Sequence, residues 1–141
     1  MNTQEIDIQK IMNMKKIHDA YIAKKMKKND VGYGMSVFLC AIHAKKFQSQ
    51  QELSDFVECN KAHTSRMIIK MQDKGLIKQN MKISLTEKGK KLAEKCKEYN
   101  EEFALQLIEN INKKDLETFK NVMKQIFANA ETIKINEEVV D

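Results

Sequence analysis

The side chains best suited to redox or metal chemistry in this sequence are three cysteines and three histidines. The cysteines stand 19 and 37 residues apart, which fits neither a disulfide framework nor a Cys-x-x-Cys metal site. No two histidines stand four residues apart, so no helical turn presents a metal-binding pair. We predict no metal and no cofactor, and we expect buried, unreactive thiols, with a redox-sensing cysteine as the alternative. The six residues are Cys40, Cys59, Cys96, His18, His43 and His63.

The rest of the sequence contains no motif that indicates an enzyme. Gly32 and Gly34 form a Gly-x-Gly pair, but no strand precedes them and Val37 stands where a dinucleotide-binding loop has its third glycine. No pairing of a nucleophile with a base, no carboxylate pair and no phosphate-binding loop is recognisable. We therefore predict that the protein is not an enzyme.

The distribution of charge is more informative than its total of +5. Residues 60–91 hold nine cations against two anions and carry +7, whereas the other 109 residues sum to −2. Such a basic segment in an otherwise balanced chain is typical of a site for a polyanion. A solvated, lysine-rich face is the alternative that charge alone leaves open.

Length and composition indicate one helical domain, residues 1–141. Proline and tryptophan are absent and glycine occurs four times, so little interrupts helix formation. No apolar run is long enough to cross a membrane, and the N-terminus lacks the pattern of a signal peptide. We expect a cytoplasmic protein with reduced cysteines and no membrane partner.

Apolar spacing predicts a long amphipathic helix over residues 5–28 and a short apolar helix over 35–46. A capping box, Ser49 to Glu52, opens a helix of barely two turns that we expect to bury Leu53, Phe56 and Val57. In a capping box, the Ser49 hydroxyl accepts a hydrogen bond from the backbone amide of Glu52, and the Glu52 side chain accepts one from the backbone amide of Ser49.

A second helix follows after a tight turn at residues 58–60. Asn60 is its expected N-cap and Gly75 follows its end, while Thr64, Met67, Ile68 and Met71 form its buried face. Two short strands, 76–79 and 82–85, are then predicted around a turn at Asn80-Met81, with Ile77, Ile83 and Leu85 inward and Lys78 and Lys82 outward.

Two further helices complete the chain. Thr86 caps a long helix whose apolar stripe includes Cys96 and Tyr99, and the last helix begins near Asn112. The acidic tail, residues 131–141, is expected to fray or to dock on a partner.

A short helix, a tight turn, a second helix and a basic hairpin make up a mainly α-helical winged helix-turn-helix. The second helix of this motif enters the major groove of double-stranded DNA with its N-terminal turn, and nearby cations neutralise phosphates. The DNA-contacting residues that we predict are Ser49, Lys61, Ala62, His63, Ser65, Arg66, Lys70, Lys74, Lys78 and Lys82.

Five segments of the sequence resemble the MarR family of transcriptional regulators, and the layout of the flanking helices fits the same family. The most distinctive is the run Ser-Leu-Thr-Glu-Lys-Gly at residues 84–89; the others are Gln51–Ser54, Asn60-Lys61, Thr64–Arg66 and Lys74–Ile77. The resemblance implies a homodimer that represses transcription from a near-palindromic operator and releases DNA when a small molecule binds. It implies a winged module at 31–91 and dimerisation helices at 5–28 and 92–130.

Three features depart from the family pattern. The wing lacks the arginine with which the family enters the minor groove, Glu58 stands where a turn glycine is usual, and Thr64 replaces a buried apolar residue. Lysine is a poorer minor-groove ligand than arginine, so we expect weak or unusual wing contacts. A protein-interaction module and a non-specific DNA binder remain alternatives.

Individual residues carry further expectations. Arg66 is the only arginine in the protein, which favours contact with phosphate or guanine over pairing with a carboxylate. For His63, a DNA contact and an exposed polar position are equally open. The effector residues that we guess are Ile17, Tyr21, Phe38 and Tyr99.

Overall fold

The computed structural model describes residues 7–78 and 82–140, and within these residues the chain is mainly α-helical. A 3-10 turn, Lys27–Asn29, follows the first helix directly. The helices are α1 (Ile8–Met26), α2 (Tyr33–Ala44), α3 (Gln50–Val57), α4 (Lys61–Asp73), α5 (Glu87–Leu107) and α6 (Lys113–Val140). Among the described residues, no helix combines the length and apolar character needed to cross a bilayer.

The described chain divides into two compact units. The first ends at Phe103 and the second begins at Ala104, so the boundary falls within α5. In the first unit α2 packs against α1, α3 and α4. Its core is apolar and fully excludes water from large side chains such as Phe38, Phe47 and Leu53.

Most helix ends lie where short-range signals place them. Ser49 Oγ accepts from the Glu52 amide at 3.1 Å, and Asn60 Oδ1 accepts from the His63 amide at 2.8 Å. Gly75 ends α4 in the left-handed conformation with φ of 72°, which glycine adopts without the steric cost of a Cβ atom. The capping box differs in one respect, because the Glu52 carboxylate accepts from the amide of Gln48 rather than of Ser49.

The predicted wing strands are not confirmed. The described residues contain only isolated antiparallel bridges here, Ile77 with Leu85 and Phe47 with Ile83, and the turn predicted at Asn80-Met81 lies outside them. The expected orientation nevertheless holds: Ile77 and Leu85 are buried, Ile83 is partly buried, and Lys78 and Lys82 are exposed. Phe47 adds a third segment, which the sequence analysis did not include.

Two other expectations were wrong. Phe56 is 51% exposed rather than buried, because it lies at the edge of the core with its ring 5.3 Å from that of Phe47. Residues 131–140 continue α6 as helix rather than fraying, and the alternative for this tail, docking on a partner, stays a prediction.

Gly89 allows α5 to approach the segment that follows α4. A Cβ atom at this position would collide with the carbonyl group of Leu76. Thr86 strengthens the same junction, since its hydroxyl donates to the Gly75 carbonyl at 2.6 Å and accepts from the Gly89 amide at 3.1 Å. These contacts fix the start of α5 against the end of α4.

Candidate nucleic-acid interface

The joint between α3 and α4 is held by a buried pair of hydroxyl groups. Ser54 Oγ and Thr64 Oγ1 lie 2.9 Å apart, and both residues are almost completely buried. Each hydroxyl also reaches a backbone carbonyl, Ser54 that of Cys59 at 3.0 Å and Thr64 that of Asn60 at 3.1 Å. A polar residue is therefore accommodated at position 64, where the resembling family usually has an apolar one.

The turn between the two helices contains a strained residue. Glu58 adopts the left-handed conformation, with φ of 56° and ψ of 42°. Glycine reaches this region at no steric cost, whereas other L-residues lose about 1–2 kcal/mol in it. At the position where the resembling family usually has a turn glycine, glutamate therefore adopts a conformation that favours glycine.

One face of α4 packs against the core and the opposite face points to solvent. Thr64, Met67, Ile68 and Met71 are buried, as the sequence predicts. Ala62, Arg66 and Lys70 follow one another at intervals of four residues and are all exposed, and so is Lys61 in the first turn. A capped helix N-terminus and three cations therefore share one accessible surface, which we call the α4 surface (Lys61, Ala62, Arg66 and Lys70).

Arg66 is available for an external ligand. It is exposed, and it forms no ion pair with any carboxylate in residues 7–78 and 82–140. The sequence leaves open that Arg66 pairs with a carboxylate of its own module. The described residues contain no such pair. The planar fork of donors on Arg66 suits phosphate or a guanine edge.

His63 and Ser65, two of the predicted DNA contacts, lie in the first turns of α4. Both are partly buried, and the His63 ring lies 6.0 Å from that of the core residue Phe38. His63 is thus not a fully exposed polar residue, and its contact with DNA stays a prediction. Packing against Phe38 holds its ring.

Lys74 already has a carboxylate partner. Its Nζ lies 2.6 Å from Asp30 Oδ2 and donates to the Asp30 carbonyl at 3.1 Å. The hydrogen bond and charge of Lys74 hold the pKa of Asp30 below its usual range. A phosphate contact by Lys74 therefore has to compete with this ion pair.

The remaining predicted contacts are exposed but lie outside α4. Ser49 is exposed at the N-cap of α3, and its oxygen already accepts from Glu52. Lys78 and Lys82 are exposed on either side of residues 79–81.

Ile69 is an exposed residue that the sequence analysis missed. It is 54% exposed and lies on α4 between Arg66 and Lys70 in the chain. Its position outside the buried stripe was readable from the helical spacing. An apolar side chain on this face suits contact with a thymine methyl group.

A cavity of about 420 Å³ lies between α1, α2, α5 and the end of α3. None of the four guessed effector residues lines it: Ile17 is 62% exposed, Phe38 is fully buried, and Tyr21 and Tyr99 lie elsewhere. The lining consists of His18, Ile22, Tyr33, Ser36, Val37, Cys40, Ala41, Ala44, Phe56, Val57, Glu58, Cys96 and Asn100. Phe56, Val57 and Glu58 connect this cavity directly to the turn between α3 and α4.

Among known proteins, only solved structures show a similarity to this chain. No protein-family model matches the sequence, and no curated protein is significantly similar to it. A MarR transcriptional regulator from Methanosarcina mazei Go1 is 26% identical with a TM-score of 0.76, over 89% of this chain and 96% of that one.

More distant structures share the fold. A MarR family regulator from Listeria monocytogenes, complexed with a 26-mer DNA, is 21% identical with a TM-score of 0.73, over 88% of each chain. The reduced form of MarR from E. coli is 16% identical with a TM-score of 0.71, over 86% of this chain and 93% of that one.

The helix order, the capped α4 and these similarities define a winged helix-turn-helix protein. In fold and helix order the chain is similar to transcriptional regulators of the MarR family. The resemblance carried by residues 51–54, 60–61, 64–66, 74–77 and 84–89 is thereby confirmed.

Proposed function

We propose that this protein is a homodimeric, sequence-specific DNA-binding regulator that acts in the cytoplasm as a ligand-responsive repressor. The observation that carries the proposal is the exposed α4 surface, on which Arg66 forms no ion pair with any described carboxylate. The fold agrees with this function, since a regulator of the same fold has been solved with DNA.

The α4 surface supplies the two components that DNA recognition needs. Lys61 and Lys70 provide positive charge for phosphates. For base edges, Arg66 offers a guanidinium group, and Ala62 and Ile69 offer apolar contacts. The cations of residues 74–91, which follow α4 in the chain, add to this positive charge.

Dimerisation through both terminal regions explains where apolar surface is exposed. Of the large apolar side chains exposed among the described residues, all except Phe56 and Ile69 lie between positions 8 and 17 or between 105 and 135. Surface of this kind, repeated on the helices at both ends of the chain, suits a second copy of the same chain. Two-fold symmetry then spaces the DNA half-sites by about one helical turn, roughly 10 base pairs.

The cavity beside the helix-turn-helix supports a response to a small molecule. Its lining joins α1 and α5 to Val57 and Glu58 at the end of α3. A compound in this cavity contacts both the helices that support the module and the turn that orients α4. Mostly apolar walls with a few polar groups suit an aromatic or similarly flat organic ligand.

Selection of duplexes from a random DNA library tests the proposal without knowledge of the operator. We expect an enriched, near-palindromic sequence that binds in a discrete complex and survives an excess of scrambled duplex. Affinity for it should fall roughly 10³-fold between about 50 and about 200 mM salt. If no sequence is enriched and scrambled DNA competes equally, specific regulation is refuted and a non-specific DNA binder or a protein-interaction module takes its place.

A further inference from the structure

Two cysteines distant in sequence meet in the first compact unit. Cys40 lies on α2 and Cys96 on α5, and their Sγ atoms are 3.1 Å apart. Both thiols are free, and the Cys40 thiol donates a hydrogen bond to the Cys96 sulfur. The third cysteine, Cys59, has its Sγ 3.7 Å from the Val57 carbonyl instead.

Hydrogen bonding distinguishes the two sulfurs. Cys96 Sγ accepts from Cys40, and Asn100 Nδ2 lies 3.6 Å from it as a second donor. His18 Nε2 in turn lies 2.6 Å from Asn100 Oδ1 and orients that amide group. The bond from Cys40 lowers the pKa of Cys96, with a smaller contribution from Asn100, whereas the same bond and burial raise the pKa of Cys40.

The pair is reached through cavities. Cys40 and Cys96 both line the cavity of about 420 Å³, and Cys40 also lines a second one of about 410 Å³ with His43 and Lys97. A small oxidant therefore has a route to both sulfurs through these cavities, although Cys96 itself is only 2% exposed.

We propose that Cys40 and Cys96 are a reactive dithiol that a hydroperoxide converts into an intrachain disulfide between α2 and α5. The Cys96 thiolate attacks one peroxide oxygen, the O–O bond breaks, and Cys96 becomes a sulfenic acid as water (or an alcohol) leaves. The Cys40 sulfur then attacks the Cys96 sulfur, the S–O bond breaks, and a second water molecule leaves. Two thiols are oxidised by two electrons and one peroxide is reduced.

Geometry requires only a small movement for this bond. A disulfide has an S–S length of about 2.05 Å, so the sulfurs must approach by roughly 1 Å. The new bond would lie in the cavity wall, on the helix that also contributes Val37, Ala41 and Ala44 to the lining. Oxidation would thus change the cavity directly.

Mass spectrometry of the full chain tests the proposal independently of DNA binding. Reduced protein is treated with a small molar excess of hydrogen peroxide, denatured, alkylated and analysed without reduction. We expect two alkylation sites to disappear, the intact mass to fall by two hydrogens, and a cross-linked peptide to join Cys40 to Cys96 until dithiothreitol releases it. Three alkylatable thiols after treatment, or a bridge that involves Cys59 or a second chain, would overturn the proposal.

Variants assign the two roles. Cys59→Ser is the matched control and should form the bridge as the wild type does. Cys40→Ser should stop at a sulfenic acid on Cys96 that dimedone traps, while Cys96→Ser should give no rapid oxidation at Cys40. Equal dimedone labelling of both single variants would contradict the assignment of Cys96 as the attacking thiol, and mapping of the wild type decides the bridge even if a variant folds poorly.

Discussion

The hydroxyl oxygens of Ser54 and Thr64 lie 2.9 Å apart in the interior of the helix-turn-helix and join α3 to α4. Both residues are buried, and each has its own backbone carbonyl as a further partner. Buried hydroxyl groups of this kind are costly when unpaired and directional when paired. The pair therefore fixes the angle at which α4 is presented.

We expect Thr64→Val and Ser54→Ala to lower the free energy of unfolding by about 1 kcal/mol each, because the surviving hydroxyl keeps its carbonyl partner. The double variant should lose less than the sum, with a coupling of about 0.5 kcal/mol or more. Urea unfolding of the four proteins measures this coupling. Strictly additive losses would mean that the two hydroxyl groups do not stabilise each other.

Gly89→Ala should destabilise the protein by about 1–3 kcal/mol or prevent folding, because the added methyl group collides with the backbone carbonyl of Leu76, which has no rotamer to move. Gly34→Ala is the matched control, since its new Cβ would meet only Met67 Cε at an ordinary 3.5 Å and alanine is the better helix former. Thermal unfolding of both variants tests this difference. A Gly89→Ala protein as stable as Gly34→Ala would contradict the close approach.

Local signals in the sequence were sufficient to predict the elements that position α4. Ser49, Asn60 and Thr86 each cap a helix through a bond that spans three residues, so neighbouring residues determine them. The period of the apolar residues likewise identified the buried face of α4. These predictions required no knowledge of the tertiary structure.

Long-range contacts could not be read in the same way. Lys74 contacts Asp30, 44 residues away in the sequence, and Cys40 contacts Cys96, 56 residues away. No local sequence pattern predicts either pair. Phe56 was assigned to the core from its spacing, but it lies at the edge of the core beside Phe47 and is 51% exposed. The lining of the cavity could not be predicted for the same reason, because a cavity depends on how four helical segments meet.

If the protein forms the proposed homodimer through its terminal helices, Ile126→Glu should convert it into a monomer. Ile126 is 48% exposed on α6, in register with Val122 and Ile133, so a charge there would be buried by a partner chain. Lys124→Glu, on an exposed position of the same helix, is the control for the added charge. Light scattering after size exclusion gives the mass of each variant; an unchanged dimer for Ile126→Glu would place the interface elsewhere.

Arg66→Ala should weaken binding to the selected operator by about 1–3 kcal/mol while leaving affinity for scrambled DNA almost unchanged, because a base contact carries sequence preference. Lys16→Ala removes an exposed cation from α1 and should have little effect. Fluorescence anisotropy titrations with both duplexes measure the difference. Equal losses on the two duplexes would identify Arg66 as a phosphate contact only.

The ion pair between Lys74 and Asp30 makes the role of Lys74 testable by a gain of binding. Asp30→Asn removes the charge but keeps a residue that tolerates the left-handed conformation of position 30, where φ is 57°. The released lysine should then reach phosphate, so the slope of log affinity against log salt should steepen by about 0.9. In a Lys74→Ala background the same substitution should leave the slope unchanged, which separates the lysine from a general loss of negative charge. An Asp30→Asn protein with the wild-type slope would show that Lys74 holds α4 to the turn before α2 and does not contact DNA.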